Sequence, residues 1–444
     1  MGAAAAAGAA AAVVVADVLD TLGGAFALTR ASPTLDGSIP LRAAQACTPF
    51  LEGNRAGLQL SLRHRLELRT SLGGVTLLAP PEPLVRAHKG SAPRYSAEGL
   101  LPPDSAWRRP IERRLLWRGG RGSRVSLFTG LFVRPRAGVV LRVGDAGNRR
   151  NVLFEVEERW IADSKRFVPL VLSLVLGKDA EQPLALHGEL ATLMAFDPRV
   201  RLARKQLREA KEIGQAHFAF YDQRYFEQKK RAATKKYKRM LAQAKDGTAK
   251  PEGRLEMVLA GPESIREADS ATFVTPEGCE RRATPVPHFV FDNALPFSAR
   301  FDGHDTVVEP ERAALKRFAE TTRETWARSF DAETLEAHPG ALWYFTKYVT
   351  PHQAGEPYFF LKPPALFETS PGWSTLVEGI PGPGYEVLRG IVATDRFHAL
   401  PAVFRLGFPG RKVAVKAGAP LARFLPVPRR LLDMDVEQLE WGYA

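Results

Sequence analysis

Proline and glycine recur so often along this chain that, in most places, only short secondary-structure elements fit between them. The 444 residues include 34 prolines and 37 glycines, a composition that favours many short strands and turns over a helical bundle. The segment from Arg201 to Lys245 differs, because it contains no proline and a single glycine, Gly214. The pattern predicts an α+β, mainly β protein in which a helical segment joins two β-rich domains.

The two β-rich domains are predicted at residues 41–199 and 251–430. In the first, Leu58–Arg69 alternates apolar and polar side chains as a half-buried strand does. Phe167–Leu176 is a nearly continuous apolar run, which is typical of a strand buried on both faces. A helix is predicted near 309–330 in the second domain, where apolar residues recur at helical spacing.

The ends of the chain and its cysteines bear on where the protein acts. The leader, residues 1–40, is rich in alanine and lacks the positive start of a secretory signal, so we expect it to be frayed or helical. Residues 431–444 are expected to form a short tail. The two cysteines, Cys47 and Cys279, are fewer than a secreted protein of this length usually carries. We therefore expect a cytoplasmic protein with no membrane span.

Residues 200–250 are predicted to form a basic amphipathic helix. From Arg201 to Lys250 there are fifteen Lys or Arg against five Asp or Glu, so this segment holds most of the net charge of +13. Aromatic residues follow one helical stripe. The candidate binding residues on the other face are Lys229, Lys230, Arg231, Lys235 and Lys236. Such a face fits an acidic partner or nucleic acid, although a solvated helix face has the same pattern.

The two β-rich regions share matched positions, which predicts an internal duplication. At an offset of 231 residues, Phe154–Val156 matches Tyr385–Val387 and Leu190–Ala191 matches Leu421–Ala422. Further matches occur at an offset of 235, among them Leu141 with Leu376 and Leu131–Phe132 with Leu366–Phe367. Two unrelated β domains with similar strand periodicity are the alternative.

The last hundred residues contain three segments in a fixed order: Ser370–Val377, Gly390–His398 and Val413–Val427. This order resembles an uncharacterised conserved domain of bacterial and phage proteins, to which residues 44–198 are faintly similar. Trp373, Asp395 and His398 lie in the matching segments and are candidate binding residues. No activity comes with that resemblance.

The same order is distantly similar to the dUTPase β-fold, also called the β-clip. In dUTPases a carboxylate orders the water that attacks phosphate, but the residue at the matching position here is Ala393. The phosphate-contacting segment of that family is also missing from this sequence. The resemblance thus implies the fold without nucleotide hydrolysis.

A cluster of imidazole and carboxylate groups is the best candidate for a metal site. His288, Asp292 and His304 lie within seventeen residues, and His352 could join them. These groups are ligands of zinc and of non-haem iron. Pro287 and Pro296 leave their geometry open, and turn histidines without metal are the alternative. The sequence does not determine a cofactor.

From these features we expect a non-catalytic or accessory binding protein that recognises a peptide or protein partner, for example by addition of a strand at a sheet edge. A specialised-metabolite pathway is one setting for such a protein. A metal-dependent, non-haem iron oxygenase is the first alternative, and nucleic-acid binding through the basic helix is the second. Whether the protein is an enzyme, and its oligomeric state, stay open at this point.

Overall fold

The structure is a computed structural model. It describes residues 12–32, 48–71, 74–78, 83, 85, 116–117, 124–148, 154–176, 184–206, 253–268, 285–328, 340–351, 356–380 and 382–439. Both cysteines, His352 and the lysines and arginine at 229–236 lie outside these residues. None of the helices in the described part is long and apolar enough to cross a bilayer.

Most of the described chain is strand, as predicted. The strands of the first half are β1 Val13–Asp20, β2 Phe26–Arg30, β3 Leu58–Ser71, β4 Gly74–Leu77, β5 Leu116–Trp117, β6 Arg124–Pro135, β7 Val140–Asp145, β8 Phe154–Val156, β9 Arg159–Ile161, β10 Val168–Leu176, β11 Leu184–Phe196 and β12 Val200–Gln206. Those of the second half are β13 Gly253–Leu259, β14 Ile265–Glu267, β15 Phe289–Asp292, β16 Phe297–Phe301, β17 Thr306–Pro310, β18 Val349–Pro351, β19 Tyr358–Leu361, β20 Ala365–Thr369, β21 Trp373–Gly379, β22 Tyr385–Leu388, β23 Gly390–Val392, β24 Ala402–Leu406, β25 Val413–Val415, β26 Pro420–Pro428 and β27 Met434–Leu439. The helices are α1 Thr48–Arg55, α2 Arg312–Ala327 and α3 Ala341–Tyr348, with a 3-10 turn at Arg429–Leu431.

The chain divides into two compact units, each assembled from separate stretches of sequence. Unit 1 consists of residues 1–31, 56–196 and 430–444, and unit 2 of residues 32–55 and 197–429. Unit 1 has two sheets, with strand orders β27-β1-β6-β10-β8 and β2-β3-β11-β7-β9. Its core is aliphatic, with leucines of β3, β10 and β11 at its centre. Along β3 and β10 the leucines stand at alternate positions and all turn inward, so β10 alternates between buried and partly buried residues instead of being buried on both faces as predicted.

Unit 2 distributes its strands over four smaller sheets. Their orders are β12-β13-β20, β14-β15-β26-β21-β23, β17-β16-β25 and β18-β19-β24-β22. Its core is richer in aromatic rings than that of unit 1, and Phe359 stacks on Phe404 with ring centroids 4.8 Å apart. Helix α2 buries Phe318, Ala319 and Thr322. It lies within the range predicted for a helix and begins two residues after Pro310, which ends β17.

The strand pairings of unit 1 are repeated in unit 2. Strand β7 lies between β11 and β9 as β21 lies between β26 and β23, and β10 pairs with β8 as β24 pairs with β22. The long strand β3 pairs with β2, β4 and β11. In unit 2 two shorter strands take its place: β15 pairs with β14 and β26, and β16 pairs with β17 and β25. Even the two-residue β5 on β6 has a counterpart in β18 on β19. The two units therefore share one topology.

A bulge also coincides between the units, with a glycine of positive φ two or three residues before it. Strand β11 bulges at Leu190 against β3, and β26 bulges at Leu421 against β15. Shortly before each bulge stands a glycine with positive φ, Gly188 at 69° and Gly418 at 72°, a conformation that glycine adopts without strain. The matches at an offset of 231 thus fall at equivalent positions.

The matches at an offset of 235 are wrong by one residue. Leu141 stands opposite Ile161 on β9. The residue that stands opposite Val392 at the equivalent place in unit 2 is Thr375, not Leu376. A one-residue slip in an alignment moves each side chain to the other face of the strand. Such a slip is difficult to detect from sequence where successive residues are apolar.

The last strand of each unit comes from a distant part of the sequence. Strand β27, at the end of the chain, pairs with β1 in unit 1, and β12, which follows β11, pairs with β13 in unit 2. These two are the parallel pairings among the described strands. The second half of the chain therefore supplies strand β27 to unit 1, and the first half supplies strand β12 to unit 2. We call β27 and β12 the exchanged strands.

Three sequence predictions need correction. Residues 431–444, predicted as a tail, contain strand β27, which pairs with β1. Val13–Asp20 of the leader forms a strand, because its β-branched valines suit a sheet and it pairs on both sides with β6 and β27. Val200–Gln206, assigned to the basic helix, is strand β12, with Val200 and Leu202 alternating with polar residues. The rest of that predicted helix lies outside the described residues.

Candidate binding site

Strand β12 forms an edge of the sheet β12-β13-β20, and no other described strand pairs with its second side. Its pairing with β13 runs in register from Val200 opposite Gly253 to Gln206 opposite Leu259. Leu202 is partly buried and packs against the core of unit 2. Strand β12 is therefore fixed to the sheet along its whole length on one side.

The side chains of β12 are basic. Arg201 and Arg204 are exposed, and Lys205 is partly exposed. The Arg204 guanidinium donates to Glu263 Oε1 at 3.0 Å and to the Ile265 carbonyl at 3.1 Å, while Lys205 forms an ion pair with Glu256. These bonds hold the cations beside the strand. Arg204 Nε also lies 3.7 Å from Glu267 Oε1, so Arg204 and Lys205 are both paired with carboxylates of unit 2, while Arg201 is exposed at the start of the edge.

A second basic group stands at the entrance to β12. Arg199 donates to Asp197 through Nε at 2.9 Å and through Nη2 at 2.7 Å, and its carbonyl accepts from the Gly253 N–H. The Asp197 side chain is fully buried. This bidentate pair fixes the direction in which the chain enters the edge strand.

The predicted binding residues Trp373 and Asp395 lie together in unit 2, around a turn. Trp373 is 0% exposed, so its ring offers no surface to a partner. Asp395 accepts from Arg429 through both oxygens, at 2.9 and 2.5 Å, and from the Gly372 N–H at 3.1 Å. Arg429 also donates to the Trp373 carbonyl at 2.6 Å. This buried ion pair ties the residue after β26 to the turn after β23, and the Gly372 bond adds the turn before β21.

Three threonines continue this polar cluster beneath the turn. The Thr394 hydroxyl lies 2.9 Å from Thr369 Oγ1 and 2.8 Å from Thr375 Oγ1, and all three side chains are buried. Thr369 also donates to the Trp373 carbonyl at 3.1 Å. Buried hydroxyls need hydrogen-bond partners, and these contacts give each of the three threonine hydroxyls at least one.

His398 and Ala393 lie on either side of Asp395. The His398 Nδ1 is 3.0 Å from the Phe367 carbonyl, and its own carbonyl accepts from the Phe367 N–H. Ala393 is buried, and its carbonyl accepts from the N–H groups of Arg396 and Phe397. The backbone at these positions is a hydrogen-bonded turn, in which His398 is only partly exposed.

The described candidates for a metal site occupy three different environments. His288 is buried, with Nδ1 3.0 Å from the Val286 carbonyl. Asp292 accepts from Arg266 Nε at 2.8 Å. His304 is exposed in the turn between β16 and β17. Within the described residues, no three His, Cys, Asp or Glu side chains are grouped to hold a metal ion, and metal binding at these positions stays a prediction.

The turn that contains His304 is organised by a neighbouring carboxylate. Asp302 Oδ1 accepts from the N–H of Asp305 at 2.8 Å and from that of His304 at 2.9 Å. These two backbone N–H groups hold the pKa of the Asp302 carboxyl below its ordinary value. Asp302 thus serves to close the turn.

No protein-family model matches the chain, and no curated protein sequence does. Among solved structures, the chain is similar to the crystal structure of 2′-deoxycytidine 5′-triphosphate deaminase from Agrobacterium tumefaciens. The identity is 9% and the TM-score 0.25, over 93% of this chain and 99% of that one. A likeness at this level does not identify a family, and the distant resemblance to dUTPases stays a prediction.

Sequence reasoning missed the β12 edge because a short alternation there runs directly into a long polar stretch. Val200 and Leu202 are two residues apart, which is the only apolar signal of the strand. The predicted basic binding residues at 229–236 lie outside the described residues and stay a prediction. Two apolar residues are too few to distinguish a strand from the start of a helix.

Proposed function

We propose that the protein is a non-catalytic binding protein that recognises an extended, acidic polypeptide segment by strand addition at the edge of β12. The observation that carries the proposal is the basic edge strand itself, paired with β13 on one side and flanked by Arg201, Arg204 and Lys205. Backbone hydrogen bonds would give affinity, and the cations would select for carboxylates. With two cysteines in the sequence, we place this activity in the cytoplasm.

The ionised groups of the fold agree with a binding role. The buried carboxylates of Asp17, Glu256, Glu378 and Asp395 each form ion pairs with arginine or lysine. Each of these carboxylates is engaged in holding neighbouring segments of the fold together.

A direct test uses a fluorescein-labelled octapeptide of alternating Glu and Val and the full chain. We expect saturable binding by fluorescence anisotropy, weaker at high salt because part of the attraction is electrostatic. The matched peptide with alternate backbone amides N-methylated should not bind, because it lacks the donors of an added strand. Equal binding of both peptides would rule out strand addition.

A charge-reversal variant locates the site. Arg201→Glu removes one attraction and adds one repulsion, which together correspond to about a tenfold rise in Kd. Arg317→Glu is the matched control, since Arg317 is an exposed arginine on α2, and it should leave Kd unchanged. An unlabelled single-stranded oligonucleotide that competes with the peptide would instead favour the nucleic-acid alternative.

A further inference from the structure

The two exchanged strands occupy equivalent positions but carry opposite charge. Val200 pairs with the first residue of β13, and Met434 pairs with the first residue of β1. Counting from these two residues, Arg201 corresponds to Asp435 and Ala203 to Glu437. Leu202 and Val436 correspond as well, and each is partly buried against the core of its unit. Both strands carry an inward apolar residue, whereas the charge is reversed at the position of Arg201 and Asp435, and Glu437 adds a negative charge where β12 has the neutral Ala203.

Strand β27 is an edge strand, like β12. In the described part of the chain its partner is β1 alone. Asp435, Glu437 and Gln438 are exposed. Arg136 bridges Glu437 to the buried Asp17, which fixes β27 on the sheet. Among the described strands, β12 is thus a basic edge strand and β27 an acidic one of nearly equal length.

We infer that the acidic segment received by the β12 edge is strand β27 of a second copy of this chain. The inference rests on the proposed function, since it names the partner of the same edge. Complementary charges on two strands of similar length favour their pairing, and like charges disfavour β12 with β12 and β27 with β27. Such a contact is head-to-tail, because it joins two different surfaces, and further copies can add to it.

The side chains of the two edge strands explain why β12 would pair with β27 rather than with another β12. Paired backbones supply hydrogen bonds that are the same for any sequence. Arg201 and Asp435 supply the discrimination, because each is exposed and lies near the start of its strand. The apolar residues Leu202 and Val436 are engaged in their own cores, so they contribute little to a contact between copies.

Sedimentation velocity of the full chain tests the inference. We expect the weight-average sedimentation coefficient to rise with protein concentration at low salt and to fall at high salt. Arg201→Glu and Asp435→Lys should each weaken self-association about tenfold. An equimolar mixture of the two variants should recover it, because the glutamate introduced on one copy then faces the lysine introduced on the other.

Controls separate folding from charge. Circular dichroism and thermal unfolding must show that both variants keep the native fold. Gln438→Lys is a second variant of the acidic edge, and it leaves the Asp435 hydrogen bond to the Val436 N–H and the Glu437 bridge intact. It should weaken self-association in the same direction as Asp435→Lys.

The outcomes distinguish this inference from the proposed function. A chain that stays monomeric at all concentrations but binds the Glu–Val octapeptide overturns the inference alone. A chain that binds neither itself nor the peptide overturns both. Self-association that persists unchanged in Arg201→Glu, or that the mixture does not recover, places the contact elsewhere and also rejects the inference.

Discussion

Asp17 on β1 and Glu256 on β13 occupy equivalent positions in the two units, and both carboxylates are buried between basic side chains. The Asp17 side chain is 4% exposed and pairs with Arg134 at 2.5 Å and with Arg136 at 2.5 Å. The Glu256 side chain is 7% exposed and pairs with Lys205 and Arg254. Each carboxylate lies on the strand that receives an exchanged strand, so it connects the closing strand electrostatically to its unit.

Asp17→Asn should destabilise the protein by about 2 kcal/mol. Breaking a buried ion pair costs about 3–5 kcal/mol, but Arg134 and Arg136 are partly exposed and regain hydration. Chemical denaturation would measure the loss, and hydrogen exchange should show faster exchange in β1 and β27. Glu320→Gln on α2, which removes an exposed carboxylate, is the control and should change stability by less than about 0.5 kcal/mol. Equal effects of the two variants would contradict the assigned role of Asp17.

Gly253→Ala should destabilise unit 2 by overpacking. A methyl group at this position would lie 2.6 Å from Trp373 Cζ2, and the fully buried ring has no space into which to move. We expect a loss of about 1–3 kcal/mol, measured by thermal unfolding with tryptophan fluorescence as the probe. Gly144→Ala is the matched control in a strand, because no described heavy atom lies within 4 Å of its added methyl group. A neutral Gly253→Ala would show that the ring can shift.

The sequence predicted local features of the fold well and distant ones poorly. The alternation at Leu58–Arg69 identified β3, which spans Leu58–Ser71, because a strand's two faces are encoded in neighbouring residues. The pairing of Val13 with Met434 has no local signal, since nothing in either strand specifies its partner. The bond between Asp395 and Arg429 was missed for the same reason. Only the offset of 231 carried long-range information, because it compared whole strands.

Asp395→Asn should lower stability without altering peptide affinity. The substitution keeps an oxygen for the Gly372 N–H but removes the charge that pairs with Arg429, and both side chains are buried. The expected loss is about 3 kcal/mol in chemical denaturation. Glu386→Gln is a control at a more exposed carboxylate–arginine pair, with Arg405 at 2.5 Å, and should cost about 1 kcal/mol or less. A weaker affinity of folded Asp395→Asn for the Glu–Val octapeptide would support the prediction that Asp395 is a binding residue.

The stability of the protein should fall steeply at alkaline pH, in part through Tyr348. Its hydroxyl donates to Asn293 Oδ1 at 2.8 Å and accepts from the Ala294 N–H at 3.0 Å. Burial raises the pKa of Tyr348 far above its ordinary value of 10.0, although the N–H groups of Ala294 and Leu295 oppose the shift. The unfolded chain ionises first, so the contribution of Tyr348 is fully present below pH 10 and is lost as the pH rises above it.

Urea denaturation of the native chain and of Tyr348→Phe, between about pH 9 and about pH 11, would measure this contribution. One tyrosine whose ionisation is blocked by folding adds a slope of about 1.4 kcal/mol per pH unit above its ordinary pKa. Tyr348→Phe should be less stable at neutral pH, because Asn293 and Ala294 lose a partner, but its stability should fall less steeply with pH. Tyr344 and Tyr385, whose pKa values burial also raises, contribute to the slope that remains. An identical slope in both proteins would mean that the Tyr348 hydroxyl ionises as freely in the folded chain as in the unfolded one.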